Sequence, residues 1–162
     1  MAMLLFGFGW SGIVMALRGS GGSGGNFLLL VVLTALLGLG MLSVGYLISS
    51  FSAQSSAALG IAVTLWLGFI IIGDLGLMGS SLVMELSPAT LLGLTVVNPL
   101  DTYKLLAVDL LQTSLNVLGP AGAYATDRFG SRLTPLLLAL ELVWVLAPLP
   151  LGYVLFKRTD IR

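Results

Sequence analysis

The chain of 162 residues is 57% hydrophobic and 9% charged, with a mean hydropathy of +1.08; soluble domains run at roughly 45–50% and 25%. Seven basic residues balance seven acidic ones, and Cys and His are absent. That excludes a basic field for nucleic acid, disulfides, thiolate chemistry, the usual zinc sites and an imidazole switch near neutral pH.

Such a composition describes one small integral membrane domain, 1–162, whose main solvent is lipid. No positive residue precedes the first apolar stretch and no small-residue cleavage pattern follows it, so a secretory signal is a poor reading. Met3 to Leu17 forms a first crossing that, at ~1.5 Å per residue, is short for a ~30 Å core. It reads as the later part of a helix, with further sequence expected upstream. Residues 19–25 contain only Gly and Ser; they read as a flexible linker, either a natural hairpin loop or an engineered joint.

The second crossing is expected over 27–51, where Gly38, Gly40, Ser43 and Gly45 would let a neighbouring backbone approach closely. Ser49 to Ser56 is polar enough for a tight surface turn. A third crossing follows over 57–83. Asp74, the one side chain charged at neutral pH between Arg18 and Glu85, lies ~26 Å along that helix from Ala57 by helix rise, so it belongs near an interface.

Residues 85–132 are mixed in polarity and read as the exterior region. Ser87-Pro88 and Asn98-Pro99 each place a capping side chain before a proline suited to the first helical position. The second start predicts an amphipathic helix from Pro99 to Leu118. Tyr103, Leu106, Leu110, Ser114 and Val117 would share one face and Asp101, Asp109, Gln112 and Asn116 the other. Gly119 to Gly130 reads as loop. The last crossing is expected over 134–156, kinked by Pro148 and Pro150. Glu141 lies ~9 Å in from Pro135 by helix rise, at a depth similar to that of Asp74. Lys157, Arg158 and Arg162 at one end are matched by Arg18, Lys104, Arg128 and Arg132 at the other, so charge does not set the orientation.

Asp74 and Glu141 form the sharpest pair, since facing carboxylates in a bundle could share a proton or bind a cation. Each could equally reach the headgroup region or pair with Arg128, Arg132 or a backbone N–H. An intramembrane aspartyl pair lacks its second aspartate. Met78 and Met84 offer weak thioether candidates for a cuprous ion, or simple packing. No phosphate-binding P-loop is present.

Gly40-Met41-Leu42-Ser43-Val44-Gly45-Tyr46, Gln54-Ser55-Ser56-Ala57-Ala58, Leu65-Trp66, Asp74-Leu75, Asn98-Pro99-Leu100-Asp101-Thr102-Tyr103-Lys104 and Phe156-Lys157-Arg158 follow one another in a telling order. From Phe27 onward the chain resembles the C-terminal half of permease subunits of type-2 ABC transporters. It is most similar to the NosY-like branch associated with nitrous oxide reductase maturation. The resemblance implies a cell inner membrane location, a cytoplasmic C-terminus and an ATPase-facing turn containing Ser52, Gln54 and Ser55. It also implies a second permease copy, a periplasmic partner protein and a separate ATPase subunit that binds the ATP, with no cofactor in this chain. The helix beginning at Pro99 would then be the outer docking or gating element, with Asn98, Asp101, Tyr103 and Lys104 beside Asp74 and Glu141 as pathway or docking candidates. The first two helices of that six-helix pattern, most of the third and the main coupling segment have no counterpart here, so the chain reads as a portion of such a permease.

The expectation is an all-α integral membrane protein with about four transmembrane helices, the first short, and an extracytoplasmic amphipathic helix. It is expected to be no enzyme but a permease subunit coupling a partner's ATP hydrolysis to export or to copper-related maturation. The alternative is a multi-pass scaffold or assembly factor that transports nothing.

Overall fold

The computed structural model describes residues 2–17, 24–52, 54–74, 87–111 and 115–159, and these are helical apart from short connections. The helices are α1 (Ala2–Leu17), α2 (Gly24–Phe51), α3 (Ser55–Asp74), α4 (Pro88–Val97), α5 (Pro99–Leu110), α6 (Pro120–Phe129), α7 (Leu133–Leu146) and α8 (Pro148–Thr159). Single 3₁₀ turns at Leu115–Leu118 and Gly130–Arg132 join the later ones. Three stretches, Gly24–Phe51, Ser55–Gly73 and Pro120–Lys157, are long and apolar enough to cross a membrane. A fourth candidate is the pair α4 and α5, bent by 108° at Asn98. This is the all-α membrane architecture that the composition demands.

The central seam joins α2 to α7 and α8, which run parallel to it: Gly40 faces Trp144, Ser43 faces Val145, and Tyr46 faces Gly152. Small residues matter here because lipid supplies no hydrophobic drive between helices, so close packing and buried hydrogen bonds must hold them. Ser43 Oγ donates to the Val145 carbonyl at 2.7 Å, in the turn where Pro148 interrupts the backbone ladder. At Gly152 any Cβ would come within 2.7 Å of the Tyr46 ring, so only glycine permits this approach of α8 to α2.

On the other side of α2, α5 packs antiparallel to α7, and Leu33, Leu105, Leu106, Leu133 and Leu137 form the apolar core with α6 closing it through Ala125. By contrast α3 is almost bare. Of its described side chains only Gly73 is buried.

The structure corrects three sequence expectations. Gly24 and Gly25 belong to α2 rather than to the linker, whose remaining residues 19–23 lie outside the described residues. Gly119 to Gly130 is not a loop: Pro120 starts α6, which packs Ala121, Gly122 and Ala125 inward. Gly119-Pro120 served as a stop signal in the sequence, yet proline at the first helical position is equally a start. The helix beginning at Pro99 ends at Leu110 rather than Leu118, and its supposed polar face carries a buried Asp101. Tertiary packing against α2 and α7 overrides the mild amphipathic pattern. The expected end of the third crossing, 75–83, lies outside the described residues.

Candidate functional site

Six polar residues are buried among the described ones: Ser43, Thr95, Asn98, Asp101, Thr102 and Glu141. All but Ser43 belong to the α4–α5 elbow or to the α7 face packed against α5. A bend of this kind frees backbone groups that cannot be left bare in a bundle, and the local sequence supplies their partners.

Asn98 does three things at the corner. Its backbone N–H closes α4 on the Thr95 carbonyl at 3.1 Å, and its Oδ1 caps α5 by accepting from the Leu100 N–H at 3.1 Å. Its Nδ2 donates to the Phe69 carbonyl of α3 at 2.6 Å and to Asp101 Oδ2 at 2.8 Å. The hydroxyl of Thr102 points back at the orphan carbonyls of α4, nearest to that of Asn98 at 3.0 Å. Asp101 also takes Lys104 Nζ at 2.9 Å on Oδ1. The lysine side chain is 40% exposed while that of Asp101 is 1% exposed, so a partly exposed cation neutralises an anion held inside the bundle. Tyr103 shares a hydrogen bond of 3.0 Å with Thr34 of α2. The C-terminal end of α3 is thus clamped against the elbow at Gly73, where a Cβ would lie 2.6 Å from Asp101 Oδ1 and 2.8 Å from Asn98 Nδ2.

Glu141 is the second element. It is 1% exposed, and neither carboxyl oxygen has a hydrogen-bond partner. Asp109 accepts from the Thr134 hydroxyl where α5 ends and α7 begins; two helical turns further along each antiparallel helix, Glu141 comes level with Thr102 and Asp101. One turn deeper, Trp144 meets Phe69 edge-on with ring centroids 5.8 Å apart. The elbow, the end of α3 and the middle of α7 therefore converge on one polar region in an otherwise apolar bundle. An unpartnered buried carboxyl costs about 1–3 kcal/mol, and intramembrane ionisable groups mark function by default.

Of the sequence candidates, Asn98, Asp101 and Lys104 are brought together directly and Tyr103 ties their helix to α2, while Glu141 is level with them on α7 by helix rise. The side chain of Asp74 lies outside the described residues, as do Met78 and Met84, so the Asp74–Glu141 pair falls there too. At the opposite end of α3, Ser52 Oγ donates to the Ile48 carbonyl at 2.7 Å, Gln54 accepts from the Ala58 N–H at 3.1 Å, and Gln54 and Ser55 are exposed. Sequence reasoning passed over Thr102 and Gly73. Thr102 sits four residues after Asn98, the spacing at which a hydroxyl can return to a helix-end carbonyl. No three metal-ligating side chains of the His, Cys, Asp or Glu type gather among the described residues.

Comparison with known proteins places the chain in context. Residues 1–161 match the model of a family described as ABC-2 family transporter protein. A probable ABC transporter permease protein NosY of Pseudomonas aeruginosa is 35% identical over 128 residues, covering 78% of this chain and 45% of that protein. Its counterpart from Stutzerimonas stutzeri is 28% identical over 161 residues, covering 96% of this chain and 57% of that protein. The chain spans about half the length of these curated relatives. No solved structure matches it.

Proposed function

The chain belongs to the ABC-2 family of transporter proteins, and from that premise we propose that it supplies the C-terminal half of a NosY-like permease in the cell inner membrane. A separate ATPase binds and hydrolyses the ATP. The exposed turn at Ser52, Gln54 and Ser55 faces that subunit, and the C-terminus shares its side of the membrane. A second permease copy completes the pathway, and a periplasmic partner receives the outer end. Work on a copper- or sulfur-related species in nitrous oxide reductase maturation is the finer assignment, taken from the relatives' name and the resemblance.

The observation that carries the proposal is the polar elbow. Broken helices that line a site within a membrane bundle recur in transporters, because only where backbone borders a protein-lined cavity can its ladder open. Here the break is capped by Asn98 and charged by Asp101 and Lys104, and the unpartnered Glu141 lies level with it on α7 by helix rise. Asp101, Glu141 and Asp74 are the pathway residues under this reading.

The test is co-purification of the chain with an ABC ATPase from inner-membrane vesicles and measurement of vanadate-sensitive ATP turnover. Stimulated turnover that falls at least about tenfold, or ~1.4 kcal/mol, in Glu141→Gln or Asp101→Asn supports a permease. A stable complex whose turnover is neither stimulated by the chain nor altered by those substitutions supports the scaffold reading instead.

A further inference from the structure

Helices α4, α6 and α7 enclose an open trough of about 380 Å³, within the ~300–1,000 Å³ range of small-molecule sites. Gly93 and Val96 of α4 form one wall and Leu136 and Leu140 of α7 the other, while Tyr124 and Arg128 of α6 stand at one end. Arg128 lies in the last turn of α6, is exposed, and makes no hydrogen bond or ion pair among the described residues. The short turn Gly130–Arg132 follows, and then α7 enters its apolar run. Arg128 therefore stands just before that apolar run, where a long cationic side chain can reach the headgroup level. From Leu133 to Leu140 the α7 wall of the trough runs ~10 Å by helix rise.

An apolar trough with a single cation at its mouth is complementary to an anionic amphiphile. A small soluble anion would leave the leucine wall wetted, and a zwitterionic lipid brings its own ammonium beside the phosphate, cancelling the net charge that an anionic lipid offers the guanidinium. We propose that this trough holds one acyl chain of an anionic phospholipid, whose phosphate takes hydrogen bonds from Arg128. The guanidinium fork suits a phosphate through two parallel N–H bonds, and basic pockets between membrane helices recognise anionic headgroups in this manner. The site is separate from the polar elbow and stands whether or not the chain takes part in transport.

The test is native mass spectrometry of the full chain in mild detergent, titrated with phosphatidylglycerol, with phosphatidylcholine of the same acyl chains, and with inorganic phosphate. The first phosphatidylglycerol is expected to bind about tenfold more tightly than phosphatidylcholine, the effect of one charge-assisted contact, with inorganic phosphate far weaker. Arg128→Gln is expected to bring the ratio near one, while Arg132→Gln, off the trough, leaves it unchanged. A Cβ at Gly93 meets nothing within 4 Å, so Gly93→Leu fills the trough without disturbing the helix and is expected to weaken both lipids. Equal binding of the two lipids, equal loss on Arg132→Gln, or undiminished binding in Gly93→Leu would each overturn the proposal. So would a change of oligomeric state in Gly93→Leu with lipid binding intact, because that outcome makes the trough a contact between copies.

Discussion

Adding one methyl group at Gly73 tests whether the elbow and α3 are joined as described. In Gly73→Ala the new Cβ would sit 2.6 Å from Asp101 Oδ1 and 2.8 Å from Asn98 Nδ2, well inside contact distance. The carboxylate is not free to step aside, because Asn98 holds one oxygen at 2.8 Å and Lys104 the other at 2.9 Å. Relief requires breaking the Asn98–Asp101 bond or lifting α3 off the Asn98–Phe69 bond. Losing one hydrogen bond to a charged group costs about 1.5–3 kcal/mol, in the range of overpacking costs generally. Replacing glycine by alanine within a helix returns up to about 1 kcal/mol. The clean reference is Gly68→Ala on the same helix, where a Cβ meets nothing within 4 Å and the same propensity gain applies. Unfolding in mixed dodecylmaltoside and SDS micelles, followed by circular dichroism, should place Gly73→Ala about 2 kcal/mol below Gly68→Ala. Adding Asn98→Ala to Gly73→Ala should cost less than the sum of the two, since both strike one contact. Two glycine variants equal within ~0.5 kcal/mol, the usual additivity error, would refute the reasoning.

Removing the corner side chain in Asn98→Ala should lower unfolding stability by about 2 kcal/mol, as a cap and two further hydrogen bonds disappear; Asn98→Ser, which keeps the cap acceptor, should recover part of it in the same assay. Glu141→Leu should raise the thermal midpoint, by the equivalent of about 1–3 kcal/mol, because a buried carboxyl without donors is exchanged for an apolar side chain of similar size. A lower midpoint would show that Glu141 is a supporting member of the fold rather than a group kept for function. Gly152→Ala should separate α8 from Tyr46 and cost about 1–3 kcal/mol, read as lost protection from hydrogen exchange across the α2–α8 seam.

Hydrophobic runs made the long helices legible, and the capping pairs Ser87-Pro88 and Asn98-Pro99 located the starts of α4 and α5 to the residue. Asn98, Asp101 and Lys104 were nameable as site candidates because the stretch Asn98 to Lys104 resembles that of the permease family; read from the residues alone, Asn98 was a helix cap and Asp101 a first-turn acid. Their burial was not legible. The alternation along α5 looked like a surface helix because what covers the corner comes from distant sequence: Gly73 lies against Asp101 and the Phe69 carbonyl takes Asn98, some 30 residues earlier in the chain, and α2 and α7 pack on the rest. Likewise α6 was hidden by its own composition, since Pro, Gly and Ala give little periodic signal. Glu141 could be read as intramembrane from sequence, whereas its lack of a donor depends on which helices surround it.

The unequal burial of α3 carries a mechanical consequence. Along its flank the helix touches little, with Gly73 its one buried described residue, while at its ends it is held by the elbow and by the short Ser52–Gln54 connection. A member restrained at both tips and slack between them acts as a strut: a push at one tip arrives at the other across ~30 Å of helix instead of dissipating into side contacts.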